Sequence, residues 1–249
     1  MEHQRKIRSR GIYLLPNLFT TAALFSGLYA ITAAINDKFE LAAVSIFIAM
    51  VLDTLDGRVA RLTHTESDFG AQYDSMADMI SFGAAPALVI YMWSLISFGK
   101  LGWFVGFVHA AGGALRLARF NTMLATADKR YFQGLPSPSA AGLIAGFIWV
   151  SIFYDLQGED VRYVALALTA STGLLMVSNI RYYSFKDINL HGKVPFVVAI
   201  LVMLGFAVIF AHPPLMLFLV FSIYALSGPV ITLLLLRRRG FSARKRGSD

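Results

Sequence analysis

DTLDGRVARLTHTESDFGAQYDSMAD, residues 53–78, sets four carboxylates inside two otherwise apolar segments. A charge near the middle of a membrane helix costs roughly 2.5–3.5 kcal/mol even on the lenient insertion scale, so such residues are kept there for a purpose. Asp53 and Asp56 are i,i+3 on one predicted helix. Asp74 and Asp78 are i,i+4 on the next, so each pair shares a helical face. The connection RLTHTESDFG between the two helices leaves all four carboxylates within about one to three turns of the loop, at similar depth on antiparallel neighbours. Two such faces can converge on a divalent metal.

The rest of the chain defines the solvent. Of its 249 residues 57% are hydrophobic and only 15% charged, with a mean hydropathy of +0.62. That balance describes an integral membrane protein. At about 20 residues per span there is room for several helices and little for a separate soluble domain. We therefore expect one membrane domain over 1–249, with the motifs in 1–190 and C-terminal helices with a basic tail in 191–249. There is no cysteine, which excludes disulfides, thiolate metal sites and a cysteine nucleophile, and favours a hard cation held by oxygen donors. The basic start MEHQRKIRSRGIYLLPN runs into a long apolar segment without a nearby cleavage signal and reads as a retained first helix.

Hydropathy predicts an all-α, polytopic membrane bundle of about eight helices, near 14–35, 39–62, 70–98, 101–124, 136–154, 160–179, 193–211 and 215–236. With both termini cytoplasmic, the external turns hold only Lys38, Lys100 and Arg162 among the 22 Lys and Arg, as the positive-inside rule requires. The basic ends, Arg5 to Arg10 and Arg237 to Arg246, explain the net charge of +7 as anchors to an anionic leaflet, so nucleic acid is not needed as a partner. In this topology the loop between the second and third helices, and the carboxylates beside it, face the cytoplasm across the cell membrane.

Four carboxylates this close repel one another unless a cation neutralises them, and Mg2+ or Mn2+ suits carboxylate and phosphate oxygens. Between the two pairs, Gly57, Ala60 and Gly70 allow close backbone approach, and Arg61 offers a guanidinium for phosphate oxygens. Carboxylates, metal, small residues and arginine together suggest phosphoryl transfer. His64, His109 and His191 lack metal-ligand spacing and read as interfacial polar residues.

The pattern Asp53-x2-Asp56-Gly57-x2-Ala60-Arg61-x8-Gly70-x3-Asp74-x3-Asp78 resembles the signature of the CDP-alcohol phosphatidyltransferase family at all eight fixed positions. The resemblance implies a membrane enzyme that displaces CMP from a CDP-linked lipid with an alcohol, using two metal ions. Carried over residue by residue, Asp53, Asp56 and Asp74 are metal ligands, and Asp78 is a shared ligand and the general base. Gly57, Ala60, Arg61 and Gly70 match positions associated with the CDP moiety. Pro16-Asn17-x2-Thr20 resembles the polar opening of the family's first helix and adds Asn17 and Thr20, which also suit ordinary helix-end chemistry.

SFGAAPA (81–87), RLARFN (116–121), FQGLPSPSAA (132–141) and SNIRYYSFK (178–186) are similar to the phosphatidylserine synthase branch, which implies CDP-diacylglycerol and L-serine as substrates. Serine is a zwitterion whose carboxylate needs a cation, and Arg116, Arg119 and Lys186 are available, although basic residues at inner helix ends are also routine anchors. The turn Gly134 to Pro138 suits a rigid wall beside an acceptor. The family forms dimers, so a homodimer is expected. Two other classes remain open: a sister transferase using glycerol 3-phosphate or an inositol phosphate, and a cation- or proton-coupled transporter.

Overall fold

In the computed structural model, residues 2–123, 131–183 and 203–246, except 206 and 208, are described. Lys186, His191 and most of the expected 193–211 helix lie outside them. The helices are α1 (Glu2–Ile35), α2 (Phe39–Thr63), α3 (Asp68–Asp78), α4 (Ala85–Ile90), α5 (Lys100–Met123), α6 (Ser137–Phe153), α7 (Arg162–Val177) and α8 (Pro213–Arg246). Among the described residues four helical stretches are long and apolar enough to cross a membrane: Leu15–Ile35, Asp68–Phe98, Lys100–Thr122 and Pro213–Leu234. α2 has the length, at 25 residues, but also carries the charges of the opening motif. α6 and α7 have 17 and 16 residues, shorter than the roughly 20 of a full span.

Large apolar side chains face outward, Phe25, Val51, Trp103, Phe104 and Ile223 among them, as suits a chain whose solvent is hydrocarbon. Small residues do the packing inside. α1 and α2 form the most extensive helix pair, and Ala30, Ala34, Ala42, Ala43 and Ala49 along their seam are completely buried. Small side chains let membrane helices approach closely enough for dispersion to hold them. α6 runs through the centre, with Ile144, Ala145 and Ile148 fully buried.

The stretch expected as one helix over 70–98 is continuous in direction but not in winding. A π turn covers Met79–Ala84 and a second covers Tyr91–Leu95. Pro86 accounts for the first. It has no N–H for the Phe82 carbonyl four residues earlier, and its ring crowds that oxygen, so the helix widens ahead of it.

One correction to the all-α expectation is small. Tyr131–Gln133 and Arg181–Tyr183 pair as antiparallel strands β1 and β2, with Phe132 opposite Tyr182. Segments between helices still need partners for their backbone groups, and here two of them supply each other. Tyr182 is fully buried, its hydroxyl donates to Ala225 O at 3.0 Å, and burial followed by nearby Tyr224 pushes its phenol up to about 12. The phenol thus stays protonated and ties the ribbon to α8.

Candidate active site

Backbone geometry at one turn brings the two carboxylate pairs face to face. α2 stops at His64, which adopts left-handed geometry (φ 51°, ψ 41°). Thr65 N then closes on Ala60 O at 3.0 Å. Ser67 caps α3 by accepting from Gly70 N at 3.1 Å, and the chain returns antiparallel. Thr21 and Tyr73 join α1 to α3 through their hydroxyls at 2.9 Å.

Oxygens of Asp53, Asp56 and Asp74 come within 4.8 Å of one another. Asp53 also lies close enough to Asp74 and Asp78 to interact with both electrostatically. Asp56 is buried and accepts from Thr20 Oγ1 at 2.7 Å, so the residue from the first helix touches a carboxylate and not only its own helix end. Asp74 Oδ1 is buried without any hydrogen-bond partner. A buried, unpartnered carboxylate oxygen among other carboxylate oxygens fits a hard divalent cation, which would complete its coordination.

Beside the carboxylates is a cleft of about 380 Å³. Asn17, Thr20, Gly57, Ala60, Arg61 and Gly70, the six residues the sequence associated with a nucleotide, all line it together with Asp56 and Asp74. A Cβ on Gly57 would meet Arg61 Nη1 at 3.5 Å, so the guanidinium folds across that bare backbone. A Cβ on Gly70 would sit 3.2 Å from Ser67 Oγ, the atom that caps α3, and 3.6 Å from Asn17 Oδ1. Thr65, Glu66, Ser67 and Asp68 also line it. Sequence reading treated them only as a connection, although their position between the two carboxylate pairs was the available signal.

The basic candidates separate. Arg116 faces Asp78, donates from Nη1 to Ser137 Oγ at 2.8 Å, and keeps Nε buried without a partner. Tyr224 of α8 interacts with the same guanidinium. It went unnoticed because nothing in the C-terminal helices formed a motif. Arg119 instead donates to Asn179 Oδ1 at 3.3 Å, at the end of α7. Ser137 reaches Arg116 because Gly134 turns the preceding loop at φ +78°, with its N–H on Ile180 O at 2.9 Å. A Cβ there would lie 2.2 Å from Met176 O, so only glycine serves.

Of the histidines expected at the interface, His64 is the exposed residue that ends α2. His109 corrects that expectation, since it is fully buried between α5 and α7. An imidazole with both nitrogens partnered can leave the interface.

Known proteins resemble this chain over most of its length. A CDP-diacylglycerol–serine O-phosphatidyltransferase of Helicobacter pylori is 37% identical over 234 residues, covering 94% of this chain and 97% of the relative. One of the same name from Methanocaldococcus jannaschii is 34% identical over 219 residues, covering 87% and 94%. An archaetidylserine synthase of Methanothermobacter thermautotrophicus is 34% identical over 184 residues, covering 73% and 74%. The family model described as CDP-alcohol phosphatidyltransferase matches residues 13–175, from the first helix through the carboxylate pairs to the end of α7, and the chain belongs to that family.

Proposed function

We propose that this protein transfers the phosphatidyl group of CDP-diacylglycerol to the hydroxyl of L-serine, giving phosphatidylserine and CMP. The observation that carries the reading is the near full-length similarity to proteins named for that reaction. The cleft supports it, because small residues, Arg61 and carboxylates line the same space.

Asp53, Asp56, Asp74 and Asp78 would hold Mg2+ or Mn2+, with two ions suiting four carboxylates. When bound, the ions would neutralise charge on the diphosphate and on the departing CMP. Gly57, Ala60 and Gly70 admit the nucleotide close to backbone, Arg61 pairs with its phosphates, and Asn17 and Thr20 border it from α1. Arg116, backed by Ser137, draws the serine carboxylate towards Asp78. Asp78 accepts the serine hydroxyl proton as that oxygen bonds to the phosphorus carrying diacylglycerol, and the bond from phosphorus to the CMP oxygen breaks. Arg119 and Lys186 are secondary candidates for acceptor or phosphate contacts.

On this reading residues 1–249 form one membrane domain of eight spans with both termini and the cleft on the cytoplasmic side of the cell membrane. It works as a homodimer, as members of the resembling family do. The confinement of external Lys and Arg to Lys38, Lys100 and Arg162 supports that orientation.

The test is CMP release by purified protein in detergent, with CDP-diacylglycerol and one acceptor at a time. Release that requires serine and Mn2+ or Mg2+ is expected. Release only with glycerol 3-phosphate or an inositol phosphate would replace the acceptor, and no release under any condition would return the transporter reading.

A further inference from the structure

His109 takes no part in the chemistry above, yet it is a completely buried imidazole on α5. Its Nδ1 lies 2.9 Å from Thr172 Oγ1 on α7, and its Nε2 lies 3.3 Å from Phe82 O. A carbonyl only accepts, so Nε2 carries the ring hydrogen. Nδ1 then accepts from the Thr172 hydroxyl, whose single hydrogen is shared with Thr169 O at 2.8 Å. α5 and α7 come close enough for this because Gly112 and Gly173 meet, a Cβ on Gly112 falling 2.5 Å from Gly173 O.

Phe82 O is no ordinary acceptor. Its α-helical donor would be the N–H of residue 86, and Pro86 has none. The π turn that results, Met79–Ala84, begins at the residue after Asp78. It is held from two sides. Ser81 Oγ donates to Ala23 O of α1 at 3.1 Å, and His109 reaches Phe82 O from α5. A π turn carries one extra residue, so its loss or migration would rotate one flank against the other by about 100°. Asp78 lies on the flank that must point at Asp53.

We propose that His109 is a positioning residue: its Nε2–H bonds Phe82 O inside the π turn, fixes that turn, and thereby aims the Asp78 carboxylate at Asp53 and Asp74. The proposal rests on the reading of Asp78 as base and metal ligand. It concerns one ring nitrogen and not the other, and this makes it separable from mere packing.

The experiment compares His109→Gln, whose amide nitrogen falls where Nε2 was, with His109→Asn, whose amide falls near Nδ1 and keeps only the Thr172 side. Each purified variant is assayed for serine-dependent CMP release, for Mn2+ binding by the free-ion electron paramagnetic resonance signal, and for thermal unfolding. His109→Asn should lower kcat by about 10–100-fold, the range for partners that orient a metal ligand. It should also weaken Mn2+ binding while KM for CDP-diacylglycerol stays within about twofold. His109→Gln should restore both kcat and Mn2+ binding. Equal behaviour of the two variants, or losses that simply follow melting temperature, would overturn the positioning role while leaving the transferase reading intact. A wild-type protein that neither binds Mn2+ nor releases CMP would sink that reading, and this proposal with it.

Discussion

The seam between α1 and α2 and the cleft at its loop end, which α3 completes, handle polar atoms in opposite ways. Along the seam each hydroxyl is closed by a backbone carbonyl: Ser26 on Ser45 O at 2.8 Å, Ser45 on Leu41 O at 2.7 Å. At the site end, two buried polar atoms lack any hydrogen-bond partner, Asp74 Oδ1 and Arg116 Nε, the latter on the neighbouring helix α5. Both residues face Asp78. Leaving a buried polar group open costs about 1–3 kcal/mol, more when it is charged. A fold that closes its seam hydroxyls and leaves open two atoms beside the carboxylates has kept room for something that binds.

The largest effect should come from the carboxylates. Chelation of divalent ions should abolish CMP release, with recovery on adding Mn2+ or Mg2+. Asp78→Asn should lower kcat by about 10²–10⁴-fold, the usual share of a general base, with lipid binding retained. Equal loss of turnover and of CDP-diacylglycerol binding would remove the base role.

Next comes Arg116→Lys, which keeps the charge and loses the fork that reaches Ser137 and, on the proposed function, the acceptor. A hydrogen bond to a charged group is worth about 1.5–3 kcal/mol, so KM for serine should rise by about 10–100-fold with little change in KM for CDP-diacylglycerol. A rise confined to the lipid substrate would move Arg116 out of the acceptor pocket.

Thr20→Val removes one neutral donor from Asp56 at nearly constant volume. About 1 kcal/mol is at stake, so metal affinity, read by Mn2+ titration, should fall roughly fivefold. Ser26→Ala then sharpens the contrast from the seam side. Melting should shift by no more than about 1 kcal/mol of stability, with CMP release unchanged. A seam variant that damaged catalysis as much as Thr20→Val would erase the distinction between the two regions.

Much of this was legible in the chain because it depends on near neighbours. Apolar length announces membrane helices, and spacings of three and four residues place Asp53 with Asp56 and Asp74 with Asp78 on common faces. The small residues and Arg61 between them lie along the same two faces, and the cleft gathers them with Asn17 and Thr20 from α1. The β1–β2 ribbon was not legible, since Tyr131–Gln133 and Arg181–Tyr183 find each other across almost fifty positions. Tyr224 beside Arg116 was hidden for the same reason, in helices with no pattern of their own.

By itself, then, the sequence determined the solvent, the helical character and the pairing of carboxylates, because each follows from composition or from a period of 3.6 residues. Pro86, inside the helix expected over 70–98, was not read as a change in its winding. Only the tertiary structure decided that the winding changes at the residue after Asp78, and that a histidine from α5 reaches Phe82 O within that turn. Those outcomes depend on how closely separate helices approach, and at Gly112 and Gly173 that distance is set by the absence of side chains on both partners at once.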